Sequence, residues 1–257
     1  DCLGAHVVEA LGEISVAVVT DDNVAPLYLG RAIASLKAAG FGDMVAKYIG
    51  LVDWKISHLL TGELYCEKVA QLTRNAVDEL MNMADKVTVN DEYTAGKIFE
   101  ALLKTGIGMS FMQNSRPASG AEHIIAHLIE CIELQDNIIP NLHGDDVGVC
   151  TLELLKYYNE LAELSSVTAQ HERVDWDEIY EFYGPLQDEI KKMNHLDNII
   201  DAVTPEKIEE LWSEIVKAIK GVPSYSECKA AMEKAGCKTT VEDIKKNQKL
   251  FDDCVKY

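Results

Sequence analysis

Only one stretch of this chain reads as a buried β-strand. Residues 14–20, ISVAVVT, are apolar and β-branched, and the turn residues Asp21, Asp22 and Asn23 follow. A single strand cannot build a sheet, so the remainder must pack as helices. The spacing predicts a helix over 25–39, with Gly40 and Gly42 as stop signals. Beyond it the pattern is helical almost to the end. Residues 43–60 are apolar on most faces, as in a buried helix. Amphipathic helices follow over 64–84 and 92–112. Ser119 and Glu122 have capping-box spacing and open a helix to about Gln135. Pro140 and Gly144 interrupt before a helix over about 145–164, and the tail from 175 holds four or five short helices broken by Gly184-Pro185, Thr204-Pro205 and Val222-Pro223.

Charge and cysteine usage exclude several function classes. The chain carries 43 acidic against 24 basic residues, a formal net charge of -19 over 257 residues. Such a surface repels nucleic acid and anionic membranes, although local cations can still receive a small anion. No run of about 18 apolar residues offers a membrane span. The acidic start DCLGAHVVEALGE is unlike a secretory signal. The seven cysteines include no CxxC pair and read as reduced, mostly buried thiols of a cytoplasmic protein.

Three segments carry candidate chemistry: AGFGDMVAKYIG around Asp43, SRPASGAEHIIAHLIE around His123 and His127, and NLHGDDVGVC around His143. One carboxylate and two imidazoles with an open fourth position would suit a catalytic divalent metal. Each residue also has a structural reading. Asp43 could be a first-turn acid, His123 and His127 core residues four apart on one helix face, and His143 a loop cap. Glu130 falls seven residues beyond His123 on the same stripe. The ligands lie 80 and 20 residues apart, so spacing alone does not decide.

At these residues the sequence resembles the sn-glycerol-1-phosphate dehydrogenase family of the iron-containing alcohol dehydrogenase and dehydroquinate synthase superfamily. The stretches that carry the likeness are 39–67, 115–127 and 141–152. The resemblance implies that Asp43, His123 and His143 bind zinc or another divalent metal. It also implies that His127 relays a proton in hydride transfer between NAD(P) and a small phosphorylated substrate, dihydroxyacetone phosphate or sn-glycerol 1-phosphate. Lys47 and Arg116 are the candidate cations for the substrate phosphate, and Asp21 falls where a ribose-contacting acid would sit.

Residues 1–38 resemble a partial nucleotide-binding β-α unit, most like that of dehydroquinate synthases, and 39–257 a helical metal- and substrate-binding domain. The expected fold is therefore mainly α, a helical metal-binding bundle preceded by a short β-α remnant of a Rossmann-like domain. No GGGS or GxGxxG loop occurs. Either the cofactor domain has been lost or an internal segment, between about 30 and 38, is missing from the sequence, and weak or no NAD(P)H binding by these 257 residues is expected. A helical metal protein without dehydrogenase activity and a dehydroquinate synthase-like lyase are the alternatives. Partners are a small phosphorylated substrate, with no nucleic acid and no membrane, and homo-oligomerisation is left open.

Overall fold

A computed structural model describes residues 25–89, 92–171, 174–193 and 202–256. The expected strand over 14–20 and the candidate Asp21 lie outside the described residues. Those described are mainly helical, with no strand among them, and they lend the expected β-α remnant no support. The larger helices are α1 (Ala25–Thr61), α2 (Glu67–Met81), α3 (Glu92–Met112), α4 (Ala121–Gln135) and α5 (His143–Ala162). Six shorter ones follow: α6 (Trp176–Tyr183), α7 (Gln187–Met193), α8 (Pro205–Glu210), α9 (Trp212–Ile219), α10 (Tyr225–Ala235) and α11 (Gln248–Lys256).

The main departure from the sequence reading is α1. Gly40 and Gly42 do not stop a helix; both lie inside one of 37 residues. The expected boundary between 38 and 39 therefore falls within a continuous helix. An interior glycine costs a helix only about 1 kcal/mol relative to alanine, and here close packing requires it. A Cβ on Gly42 would stand 2.5 Å from the carbonyl oxygen of Gly144, and one on Gly144 would stand 2.0 Å from that of Ala39. Gly148 lies against Gly42 in the same way. The backbones of α1 and α5 thus touch where they cross.

Around this crossing sits the core. Phe41, Met44, Tyr48 and Ile49 of α1 are fully buried, as are Val147, Val149, Cys150, Leu152 and Leu155 of α5. From Phe41 to Trp54 α1 is enclosed on nearly every side, which explains its lack of an apolar stripe. The same core takes in α4 through Ala126 and Ile129, α10 through Met232, and α11 through Phe251. Lys246, itself buried, pairs with Glu133 of α4 and lies 3.7 Å from Asp146 of α5, tying the C-terminal segment to both. None of the helices described is long and apolar enough to cross a membrane.

The N-terminus of α4 is also built differently from expectation. Ser119 makes no cap; the N-cap is Gly120. Asp53 of α1 accepts the Ala121 amide at 2.7 Å, and Glu122 accepts the Gly120 amide at 3.0 Å. Tyr158 of α5 donates its hydroxyl to the same Asp53. One carboxylate therefore joins α1, α4 and α5 just before the helix turn that carries His123.

Candidate metal centre

Asp43, His123 and His143 come from three helices and face one point. Their donor atoms all lie within 4.8 Å of one another. Asp43 is not a first-turn acid, as one reading of the sequence had it, but an interior residue of α1. His143 is not a loop residue; it is the first residue of α5, placed beside α1 by the Gly42–Gly144 contact. His123 sits in the first turn of α4. His123 Nε2 stands 3.3 Å from Asp43 Oδ1, close to the edge of a tetrahedron with metal–ligand bonds of about 2.0–2.1 Å. One carboxylate and two imidazoles of this geometry fit a divalent cation of borderline softness such as zinc.

The residues behind the triad favour the same reading. Nδ1 of His123 is hydrogen-bonded to Glu122 at 2.6 Å, and Nδ1 of His143 to Glu130 at 2.8 Å. Each carboxylate holds its imidazole by Nδ1 and leaves Nε2 unengaged by it, and Nε2 of His123 faces Asp43, the arrangement that orients histidine ligands. Glu122 is fully buried, and its Oε2 has no hydrogen-bond partner. By sequence alone Glu122 is half of a capping box and Glu130 a member of the His123 stripe. The Glu-His dipeptide at 122–123 was the available signal, and its meaning depends on the rotation of α4 against α1.

Lys47 is buried one turn after Asp43 and donates to Asp43 Oδ1 at 2.8 Å. Burial raises the Asp43 carboxyl, but Lys47 and His123 outweigh it and hold the group well below the usual carboxylate range. Burial lowers His123, but its hydrogen bonds to Asp43 and Glu122 more than reverse this and raise it. Burial likewise raises Glu130, and hydrogen bonds from His127 and His143 bring it down to about 2. Asp43 and Glu130 thus stay charged.

His127 borders the triad on the solvent side. Its Nδ1 lies 3.1 Å from Glu130 Oε2, and its ring stacks on His143 with centroids 4.9 Å apart. Arg116 is placed elsewhere. It pairs with Glu63 at 2.9 Å and approaches Ser57, which lies fourteen residues, or roughly 21 Å, along α1 from Asp43. The structure therefore brings Lys47 and His127 to the triad and leaves Arg116 apart.

No protein-family model matches the chain. Curated relatives do. A glycerol-1-phosphate dehydrogenase (NAD(P)+) of Geobacillus thermodenitrificans is 32% identical over 221 residues, 86% of this chain and 48% of the relative. The protein of the same name from Bacillus velezensis is 40% identical over 147 residues, 57% of this chain and 36% of the relative. A third, from Thermococcus sibiricus, is 35% identical over 137 residues, 53% and 37% respectively. The chain spans half or less of the length of these relatives. Over the matched stretch it is a homologue of the glycerol-1-phosphate dehydrogenases, the family that its GFGD, SGAEH and LHGDD segments resemble.

Proposed function

We propose that these residues form the helical, metal-binding part of an NAD(P)-linked oxidoreductase that interconverts dihydroxyacetone phosphate and sn-glycerol 1-phosphate. The observation that carries this reading is the convergence of Asp43, His123 and His143 from three helices, with Glu122 and Glu130 behind the histidines. Asp43, His123 and His143 would hold the metal. A divalent ion there, most simply zinc, supplies Lewis acidity toward a ketone oxygen. Lys47 keeps Asp43 ionised and fixed against α1. With Nδ1 of His127 engaged by Glu130, its Nε2 is the atom available to exchange a proton between solvent and the substrate oxygen. A substrate phosphate near the triad would compete with Asp43 for Lys47, whereas Arg116 serves the far end of α1. NAD(P) is part of the relatives' names, and hydride transfer requires it beside the substrate carbon.

The test is NADH oxidation by the chelator-treated protein, with dihydroxyacetone phosphate, before and after zinc is restored. Zinc-dependent turnover that is lost in His123→Ala supports the reading. Zinc binding without turnover is the outcome expected where these residues lack the cofactor site and favours the helical metal protein, whereas a folded chain that binds no zinc overturns the reading.

A further inference from the structure

A second set of donors stands on the solvent side of the triad. His127, Glu130 and His143 present ligand atoms that also lie within 4.8 Å of one another. Glu130 spans the two imidazoles, Oε1 to His143 Nδ1 at 2.8 Å and Oε2 to His127 Nδ1 at 3.1 Å. The two rings are nearly parallel, 16° apart, so both Nδ1 atoms meet the same carboxylate. These spacings lie near the tetrahedral edge of about 3.3 Å that bonds of about 2.0–2.1 Å require. Side-chain exposure rises outward, from 9% at His123 and 20% at Asp43 to 36% at His143 and 59% at His127.

We infer that His127, Glu130 and His143 form a second, outer position for a divalent cation, which shares His143 with the inner triad and is therefore filled in place of it. The inference rests on the reading of the inner triad as a metal site. The sharing follows from the chemistry of imidazole. A neutral ring has one lone-pair nitrogen and one N–H. With the proton on Nδ1, given to Glu130, His143 turns Nε2 to the inner position. With the proton on Nε2, Nδ1 can join His127 and Glu130 instead. The change needs one proton released to solvent from one nitrogen and one taken up at the other. Two cations on the same ring would require a second deprotonation. Two imidazoles and a carboxylate suit zinc, cobalt or nickel rather than calcium or magnesium. Its exposure makes the outer position the first that an ion from solvent meets, and the shared ring connects it to the buried one.

Calorimetric titration of zinc into the chelator-treated full chain tests this, with circular dichroism to show that each variant is folded. The parent takes one ion. His123→Ala still takes one, more weakly; His123→Ala combined with His127→Ala takes none; His143→Ala takes none. A folded His123→Ala that binds no zinc overturns the outer position, as does a double variant that binds as well as His123→Ala alone. A parent that binds two ions overturns the sharing. Failure of the inner triad shows differently: His123→Ala would then match the parent, and binding would vanish with His127→Ala alone.

Discussion

Where α1 crosses α5, backbone meets backbone; along α6, α7 and α8 none of the side chains described is buried. Both regions are helical, and both carry acids in their first turns or along their faces, but they tolerate error differently. At the crossing, Gly42 and Gly144 let two backbones approach so closely that an added methyl on either would meet a carbonyl oxygen. Asp43 and His143, each the next-door neighbour of one of these glycines, inherit that close placement. The surface helices rest on partly buried side chains that can shift. The proposed metal donors stand on the elements with the closest backbone contact, which is what a three-ligand site needs.

The sharpest break of this comparison is Gly144→Ala. The added methyl would meet the Ala39 carbonyl, a backbone atom that cannot swing aside. We expect a loss of about 3 kcal/mol in unfolding free energy, the upper range for overpacking, together with loss of zinc binding. Urea denaturation reads the first and calorimetry the second; a stable, zinc-binding Gly144→Ala would show that the crossing can relax.

Next in size is Glu122→Gln. Glu122 orients His123 through Nδ1, and loss of such a partner weakens metal affinity by about 10–100-fold. Unchanged zinc affinity in a folded variant would show that α4 alone orients the ring.

A smaller effect tests the three-helix junction. Burial, aided by the charge of Glu122, pushes the Asp53 carboxyl up to about 6 despite hydrogen bonds from Tyr158 and Ala121. A raised carboxyl holds its proton in the folded state after the unfolded chain has released it, so its contribution to stability is complete below the ordinary carboxylate range and is lost as pH climbs through about 6. Asp53→Asn should therefore gain on the parent by about 1–2 kcal/mol between about pH 4 and pH 7. Urea midpoints at the two pH values measure this, and parallel behaviour of parent and variant would mean that Asp53 ionises in the fold without penalty.

The smallest effect has the opposite sign to the first. Gly96 lies exposed inside α3 with nothing near its missing Cβ. Gly96→Ala should raise stability by about 0.5–1 kcal/mol. If it destabilises the protein instead, that face of α3 is covered by something outside the described residues.

Much of the helical layout was legible because it rests on local patterns. The expected helix over 92–112 matches α3, and the amphipathic run over 64–84 contains α2. The identities of Asp43, His123 and His143 were legible through a resemblance, not through spacing. What local reasoning mistook was glycine. Gly40 and Gly42 carry the ordinary signature of a helix end, and Ser119 that of a cap. In the fold, a contact from α5 accounts for Gly42 and a contact from Ile98 of α3 for Gly40, while Asp53 takes the place of Ser119.

The sequence by itself determined that most of this chain is helical, as the described residues are, and which side chains could hold a metal, since periodicity and residue chemistry are properties of short segments. Only the tertiary structure decided that Glu122 and Glu130 stand behind the histidines, that Lys47 serves Asp43, and that Arg116 lies at the other end of α1. Those relations depend on the rotation and separation of helices distant in the chain. Rotation and separation are set by the close contacts at Gly42, Gly144 and Gly148, which no single segment encodes.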